Sequence, residues 1–550
     1  MLEQSTLPLG MELQLSAQQC VMAYAYPDMS ALIDKVCQCP DLAPCQAPPV
    51  VIQKEDPKPA PVPPAPSHKM KFSRPIPILM GSGIAAVVII LVVLLVIFLP
   101  TNSPTSPQDT TADPTSTQLS SSNSVVLAPG VEVDLDAADL TLTELTVTID
   151  TVVQLQKLKN LKHLSFNKCD FTVPLELKSS VLSTLEFNEC TGNHYLQKLD
   201  GLTDLYTLRI YGATLSDDDI PVLRLPKLYR FILTGDKAFT DLSKLTGCEA
   251  LDEVNIDDTG VSDLSPLVSL TDLSYISAND CLIDSIDCLA PLEHLNSLSF
   301  NNCQILTITE TFKSLRLSQL YFQNNPLVSI SGFDNLTVLT DVNFGKTHLD
   351  EIVCLEKSAA SIQNANLSGL SASIKYTVAN CVNMQNLVID GTPLYSCDTF
   401  KNMTGLKTLS AEGCSIGDTS GLNNCPLLHT VNLMNNCITD ISFVACMDKS
   451  KQLTVDLTGN YITDVSCLPT DVYYEGLSLA VNPIDCATIP AVEGYMFLLS
   501  YNETLTVENI TDSFTFSKVY LLDCPDDKKV AIEDVLTYKV IFTTLEEILG

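Results

Sequence analysis

A short motif recurs along most of this chain at a spacing of about 22 residues, and this spacing limits the fold more than any other feature. Alternating apolar residues at its fourth and sixth positions predict a short strand with one buried face. The ninth position is expected to turn inward, where Asn or Cys satisfies backbone polar groups. Because one unit cannot cover its own apolar face, neighbouring units must stack into a solenoid. Written L-x-x-L-x-L-x-x-N/C-x-L, the motif includes LKHLSFNKCDF (161–171), LSTLEFNECTG (182–192), LNSLSFNNCQI (295–305) and LHTVNLMNNCI (428–438).

The copies follow one another with little variation in length. We count about 16 of them, whose ninth positions begin at Asp150 and end at Asn482. The copy at 362–372 departs from the pattern, with Ala365 at the fourth position and Leu370 at the ninth. We therefore expect this copy to be irregular.

The repeated segments resemble those of leucine-rich repeat proteins across residues 142–484. The unit is similar to the class found in internalins and in the leucine-rich regulatory subunit of a nuclear protein phosphatase. This resemblance implies an α/β-type repeat solenoid, a horseshoe with a parallel β-sheet on its concave face, and a role in binding other macromolecules. We assign the repeat domain to residues 127–486 and a C-terminal capping segment to residues 487–550, where the repeat is lost.

One apolar segment precedes the repeats. Ile78 to Leu99 are mostly Val, Ile and Leu, and as a helix they would span roughly 33 Å, enough for the hydrocarbon layer of a bilayer. We predict a transmembrane helix at 76–99 that acts as an uncleaved signal anchor. No basic residue follows it until Lys157, which places the N-terminus in the cytoplasm. The basic residues just before it are Lys58, Lys69, Lys71 and Arg74.

Two polar segments flank the predicted membrane helix. Residues 1–75 form a Pro-rich cytoplasmic tail, expected to be largely disordered, and residues 100–126 form a stalk rich in Ser, Thr and Pro. The spacing of Lys58, Pro61 and Pro64 matches ligands of polyproline-binding grooves, so the tail offers a site for such a partner. A semi-rigid spacer is the simpler reading of the same prolines.

The charge of the chain excludes one class of partner. Its formal net charge is -34, and most of the acidic residues follow the predicted membrane helix. Nucleic-acid binding requires clustered Lys and Arg, so we do not expect it. No Gly-rich phosphate loop, G-x-S-x-G or H-E-x-x-H motif is present in the sequence. We therefore expect no catalytic residues, no bound metal and no cofactor.

The outward positions of the predicted strands are mostly Ser, Thr, Asn and Asp, with one exception. Two neighbouring copies combine aromatic and Arg side chains, the types that dominate protein interfaces. The alternative is that these are incidental surface residues, and that acidic residues such as Asp252 and Glu253 on the next strand balance the arginines. The predicted binding residues are Tyr206, Arg209, Tyr211, Tyr229 and Arg230, with Tyr275 and Tyr321 continuing the aromatic line.

Modification sites bear on the predicted topology. We place the sequons at Asn335 and Asn402 on the convex side and that at Asn366 on the concave face, where a glycan would obstruct binding. All five N-x-S/T sequons follow the apolar segment, in agreement with a luminal or extracellular array: Asn335, Asn366, Asn402, Asn502 and Asn509.

Most cysteines of the repeats fall at inward positions, where a buried thiol acts as a small apolar filler. Bridges between Cys169 and Cys190 on adjacent strands are allowed by distance and remain an alternative. We predict one disulfide, between Cys486 and Cys524, which would close the C-terminal cap.

Two functions fit these patterns. The first is a single-pass protein of the plasma membrane or secretory pathway, whose extracellular or luminal repeats bind a protein or glycan for recognition or adhesion. The alternative is a membrane-tethered cytoplasmic scaffold or phosphatase regulator, favoured by the core thiols and by the resemblance to intracellular regulators.

Overall fold

The structure is a computed structural model, and it describes most of the chain after the predicted stalk. The predicted cytoplasmic tail (1–75), the transmembrane helix (76–99) and residues 100–123 of the predicted stalk lie outside the described residues, whereas the last three residues of the stalk lie in the first strand. Within the described part, none of the helices is long and apolar enough to cross a membrane. The described residues are 124–192, 195–371, 373–506, 514–536 and 540–544.

Nineteen strands form one parallel sheet, in which each strand pairs with the next one along the chain. The pairings run in series from the first of these strands to the last, as expected when each repeat adds one strand. The strands of the sheet are β3 (Asp139–Thr143), β5 (His163–Asn167), β7 (Thr184–Asn188), β8 (Thr207–Tyr211), β9 (Arg230–Thr234), β10 (Glu253–Asn255), β11 (Tyr275–Ser277), β12 (Ser297–Ser299), β13 (Gln319–Tyr321), β14 (Asp341–Asn343), β15 (Asn364–Asn366), β16 (Asn386–Val388), β17 (Thr408–Ser410), β18 (Thr430–Asn432), β19 (Leu453–Asp456), β20 (Tyr473–Ser478), β21 (Val492–Ser500), β22 (Phe514–Leu522) and β23 (Val540–Thr543).

The remaining elements are short. An antiparallel hairpin of β1 (Ser124–Ala128) and β2 (Val131–Asp134) precedes the sheet, and β4 (Thr146–Val147) pairs with β6 (Asp170–Phe171). The α-helices are α1 (Ile149–Leu155), α2 (Val353–Lys357), α3 (Ile374–Val378) and α4 (Asp526–Leu536). The 3-10 helices are Leu199–Gly201, Leu242–Leu245, Ser265–Ser269, Asp287–Leu289, Ser331–Phe333, Cys397–Phe400, Ser420–Asn424, Ser442–Cys446 and Cys486–Thr488.

The core lies between the sheet and the returning segments of each coil. Leu298 in β12, at the fourth position of the motif, and Phe300 just after it, at the sixth, are fully buried, as the alternating pattern predicts. Returning segments add a second row of buried residues, such as Leu289 and Phe333 on two of the 3-10 helices. One continuous apolar core therefore runs through the described array.

A residue with a left-handed backbone marks the eighth position of every coil from Glu144 to Val481. This conformation favours Gly, Asn and Asp, which explains why they recur just after the strands. The sixteen residues are Glu144, Lys168, Glu189, Gly212, Gly235, Asp258, Asp280, Asn302, Asn324, Lys346, Gly369, Gly391, Gly413, Asn435, Gly459 and Val481.

The ninth residue of a coil joins it to the coil before. Nδ2 of Asn436 donates to the carbonyl of Ala411 at 2.9 Å, and its Oδ1 accepts from the amide of Ile416 at 2.9 Å. Cys414 keeps only the first type of contact, since its thiol donates to the carbonyl of Ile389 at 3.2 Å. The prediction that Asn and Cys satisfy backbone groups at this position is confirmed for these residues.

The structure corrects two details of the predicted register. Asp150 lies in α1, and the ninth position of the first coil is Leu145, because Leu140 pairs in register with Leu164. The copy at 362–372 is regular, with Ala365 fully buried in β15. The smaller side chain keeps its inward direction because the neighbouring strands fix the register.

The sheet also continues past residue 486, where we placed the end of the repeats. Strands β21, β22 and β23 extend it in parallel, so the segment expected to act only as a cap adds three strands. Phe497 and Val519 align with Leu477 at the fourth position. The motif is hard to find here because these strands are longer and the consensus spacing is lost.

Candidate binding surface on the parallel sheet

The predicted binding residues of β8 and β9 lie together on the exposed face of the sheet. In-register pairing places Glu186 beside Arg209, Thr207 beside Arg230 and Arg230 beside Glu253. Tyr206 and Tyr229 occupy the positions just before these strands. We call Tyr206, Arg209, Tyr211, Tyr229 and Arg230 the Tyr–Arg surface.

Tyr206 and Tyr229 form a stacked pair. Their ring centroids are 4.8 Å apart and their planes differ by 6°. Tyr206 remains 47% exposed, so the pair presents an open aromatic face to solvent. The hydrogen bond from the Tyr229 hydroxyl to Asp252, together with partial burial, raises the pKa of Tyr229 to about 12. The Tyr229 hydroxyl therefore stays protonated well above neutral pH.

Both arginines of the surface are paired with glutamates from neighbouring strands. Nη1 of Arg209 lies 3.5 Å from Oε2 of Glu186, and Nε of Arg230 contacts Oε2 of Glu253. All four side chains are half-buried, which reduces solvent screening of the pairs. The surface is therefore not a basic patch, and the predicted balancing role of Glu253 is confirmed. Sequence reasoning did not identify Glu186, although an acidic residue one copy before Arg209 was visible.

Tyr211 lies at the far end of β8 from Tyr206. It is half-buried, and burial raises the pKa of its hydroxyl, with Arg209 opposing that shift. The Tyr–Arg surface thus combines one aromatic pair at its edge with a second, less accessible tyrosine across the strand.

The two further tyrosines do not extend this surface equally. Tyr275 pairs in register with Glu253, directly beside the surface, and burial raises the pKa of its hydroxyl to about 12. Tyr321 is only 7% exposed, and burial raises its pKa as well. Little of the Tyr321 ring is therefore accessible to a ligand, and its role in binding stays a prediction. Flanking side chains cover it because neighbouring strands bring their outward residues close together.

Elsewhere, outward polar side chains on the sheet bond to one another. The hydroxyl of Ser277 donates to Asp257 at 2.7 Å, and that of Ser299 donates to Asn279 at 2.8 Å. Asn279 also bonds to Ser277 at 3.0 Å. These contacts occupy donors and acceptors that a ligand would need. The Tyr–Arg surface differs from this part of the sheet because it exposes aromatic rings.

The predicted glycosylation sites differ in accessibility. A glycan is attached at the Nδ2 atom of asparagine. Nδ2 of Asn335 donates to the carbonyl of Phe312, and Nδ2 of Asn502 donates to that of Ile484, each at 2.9 Å. Asn366 is half-buried on β15, where its Oδ1 accepts from Ser368. Asn402 is exposed, and Asn509 lies outside the described residues.

The predicted disulfide is not formed. Cys486 and Cys524 are both free thiols, with Sγ of Cys486 3.7 Å from Oδ1 of Asn502 and Sγ of Cys524 3.7 Å from the carbonyl of Pro525. The reason is that Cys524 follows β22, two strands beyond the one that precedes Cys486, and so belongs to a separate coil. Cys169 and Cys190 are free as well, each donating to a backbone carbonyl.

Comparisons with known proteins agree with this architecture. A family model described as leucine-rich repeats (2 copies) matches residues 404–446. None of the curated proteins matches the chain. Solved structures with a similar fold include an internalin from Listeria monocytogenes, at 22% identity and a TM-score of 0.45, which covers 56% of this chain and 90% of its own.

Two further solved structures come from Drosophila and from a plant. The glycosylated Toll–Spatzle complex from Drosophila has 17% identity and a TM-score of 0.48, covering 74% of this chain and 61% of its own. The ectodomain of a plant membrane receptor kinase from Arabidopsis thaliana has 16% identity and a TM-score of 0.45, covering 74% and 50%. Values this low carry no conclusion about ligand or activity. The family model identifies leucine-rich repeats at 404–446, and the same coil pattern, marked by its left-handed residues, runs through the rest of the described array.

Proposed function

We propose that this chain is a single-pass membrane protein whose leucine-rich repeats bind a protein partner through the Tyr–Arg surface. The observation that carries the proposal is the stacked pair of Tyr206 and Tyr229, exposed beside two arginines that are already held in place. Tyrosine and arginine dominate the energetics of protein interfaces. Side chains that are fixed before binding lose less conformational entropy when a partner arrives.

The chemistry of the surface favours a protein over other partners. Two guanidinium groups, Arg209 and Arg230, lie between two carboxylates, Glu186 and Glu253, across four neighbouring strands. A polar protein surface can match such a mixed pattern of charge, whereas a phosphate backbone would be repelled by the net charge of -34. A glycan stacked on the tyrosine pair is the competing ligand. The array acts by binding, with no catalytic role.

The topology that we propose places the N-terminus in the cytoplasm and the repeats outside the cell or in the secretory pathway. It is supported by the apolar segment at 76–99 and by the basic residues that precede it. The motif at Lys58, Pro61 and Pro64 would then face cytoplasmic polyproline-binding partners. Asn402, which is exposed, can accommodate a glycan without loss of a hydrogen bond.

A specific observation favours the second candidate, a cytoplasmic scaffold or phosphatase regulator tethered to the membrane. All sixteen cysteines of the described array are free thiols, which is typical of a reducing compartment. The amides of Asn335 and Asn502 are also occupied by backbone contacts, as expected of sequons that carry no glycan.

Site-specific photocrosslinking in intact cells tests the binding proposal. A benzophenone side chain at Ser183, which precedes Tyr206 by one coil, should yield a covalent adduct to a protein. The adduct should disappear when Tyr206 and Tyr229 are both replaced by Ala. The same crosslinker at Ser318, in the equivalent position further along the sheet, is the control. An adduct unaffected by the double substitution, or one removed by glycosidase, would contradict the proposal.

A further inference from the structure

A groove lies along one edge of the sheet, several strands away from the Tyr–Arg surface. It runs across the coils of β15, β16 and β17 and has a volume of about 550 Å³. One wall consists of Gln363, Gln385 and Lys407, which immediately precede these strands. The other wall consists of the turns that lead into the same coils.

The polar wall is a chain of aligned donors. Nζ of Lys407 donates to Oε1 of Gln385 at 2.8 Å, and Nε2 of Gln385 donates to Oε1 of Gln363 at 3.0 Å. Each accepted hydrogen bond polarises the amide and strengthens its remaining N–H groups as donors. This wall therefore suits carbonyl and carboxylate oxygens.

The charge of the groove sits at one end of this chain. Lys407 is the only basic residue that lines the groove. None of the ion pairs among the described residues includes Lys407, although the protein is strongly acidic. Two N–H groups of its half-buried ammonium thus remain for an anion.

The opposite wall has a gap between two apolar side chains. Val382 and Leu427 are 43% and 42% exposed, and Gly405 lies between their coils. A Cβ at Gly405 would meet only the carbonyl oxygen of Met384, at 3.6 Å. The missing side chain leaves room for one apolar group of a ligand beside Lys407.

We propose that this groove binds the C-terminus of a partner polypeptide that ends in an apolar residue. The terminal carboxylate would bind Nζ of Lys407, and the last side chain would fill the space over Gly405. Gln385 and Gln363 would donate to the backbone carbonyls of the preceding residues. This site is independent of the Tyr–Arg surface.

The layout of the groove selects a chain end over an internal acidic segment. Two strand spacings separate Gln363 from Lys407, about 10 Å, which matches roughly three residues of extended peptide. Its donors along that length are neutral amides, and its single cation lies at the end. A ligand with neutral carbonyls and one terminal negative charge has the same pattern, in agreement with electrostatic complementarity.

Fluorescence anisotropy with the full-length protein tests the proposal. The probe is a labelled Gly-Ser-Gly-Leu peptide with a free carboxylate, compared with the same peptide as a C-terminal amide. We expect the amide to bind at least about tenfold more weakly, the effect of losing a charge-assisted hydrogen bond. Equal binding of the two peptides, or no binding of the carboxylate form, would overturn the proposal.

Three variants locate the site. Gly405→Leu fills the groove, and Lys407→Met removes its cation, so both should weaken binding of the carboxylate peptide by at least about tenfold. Lys401→Met is the matched control, because Lys401 pairs with Asp398 at 2.9 Å and does not line the groove. Retained binding by Gly405→Leu, or equally tight binding of an internal Leu-Glu peptide, would contradict the assignment. Crosslinking at Ser183 should be unaffected by these variants, because Ser183 does not line the groove, so failure here is distinct from failure of the Tyr–Arg surface.

Discussion

Tyr206 and Tyr229 stack with their centroids 4.8 Å apart, although 22 residues separate them along the chain. The repeat brings them together, because both occupy the second position of their coils and parallel pairing aligns those positions. A tyrosine at the same position of two consecutive copies thus forms one continuous aromatic surface.

Replacement of Tyr206 by Ala should separate binding from folding. The exposed ring contributes little to the core, so we expect a loss of stability of about 1 kcal/mol, the value of one aromatic pair. Loss of partner affinity should be larger, about 2 kcal/mol or more, as at interface hot spots. Thermal unfolding and crosslinking yield measure the two effects. Tyr376→Ala, at an exposed tyrosine of α3, is the control and should leave the yield unchanged.

Replacement of Asn436 should destabilise the protein much more than is usual for a residue on a turn. Asn436→Ala removes donors to Ala411 and Leu433 and the acceptor for the amide of Ile416. Buried backbone groups left unpaired cost about 1–3 kcal/mol each. We expect faster hydrogen exchange at Ile416 and a lower unfolding temperature. Asn436→Cys should be milder, because a thiol in this position can still donate, and equal effects of the two variants would contradict this account.

Val481 is strained, and removal of the strain should stabilise the protein. It is a β-branched residue with φ of 54°, at the position where most other coils use Gly, Asn or Asp. Val481→Gly should raise the free energy of unfolding by about 1 kcal/mol, despite the greater freedom of glycine in the unfolded chain. The reciprocal change, Gly391→Val, should be destabilising because φ is 70° there. Chemical denaturation of both variants tests the pair, and a destabilised Val481→Gly would contradict the prediction.

Asp456 should contribute more to stability in weak acid than at neutral pH. The reference for this contribution is a variant that lacks the carboxyl group. Only 4% of this residue is exposed, and burial raises the pKa of its carboxyl from 3.8 to about 6. The native state therefore holds the proton more tightly than the unfolded chain, and stability contributed by this group falls as pH rises from 4 to 6. Asp456→Asn should thus be more stable than the parent at pH 7, by roughly 1–3 kcal/mol, and similar to it at pH 4. A stability difference independent of pH would exclude Asp456 as the source.

Asn402 separates the two topologies. If the repeats lie outside the cell or in the lumen, glycosidase should increase the gel mobility of the parent protein, and Asn402→Gln should remove most of that shift. Protease added to intact cells should then degrade the array. No shift together with full protection would favour the cytoplasmic scaffold instead. Asn335→Gln is the matched control, because the Nδ2 atom of Asn335 already bonds to Phe312.

The sequence predicted the array well, because its strands are set by a short local pattern. The alternation of apolar and polar residues around positions such as Leu298 and Phe300 can be recognised from residues that are close together in the sequence. The continuation of the sheet past residue 486 was missed because β21 and β22 keep inward residues such as Phe497 without the consensus spacing. Their assignment depends on pairing with a preceding strand, which no single segment reveals.

The candidate site was predicted only in part. Residue type and register identified Tyr206 and Arg230, and the repeat period placed them on adjacent coils. The burial of Tyr321 was not predictable, because it depends on side chains of both neighbouring strands. The groove at Gly405 was missed for a related reason: its defining property is an absent side chain between two copies, and the repeat pattern does not specify that position.

The ninth-position contacts give the array a direction. Each side chain such as Asn436 or Asn482 reaches back to a carbonyl of the preceding coil. Insertion or deletion of one complete coil would preserve this pattern of contacts, whereas loss of a strand together with its ninth residue alone would break the contacts at that point. Such a protein can therefore change the length of its sheet by duplication of whole units, and the distance between its two candidate binding sites can change in the same steps.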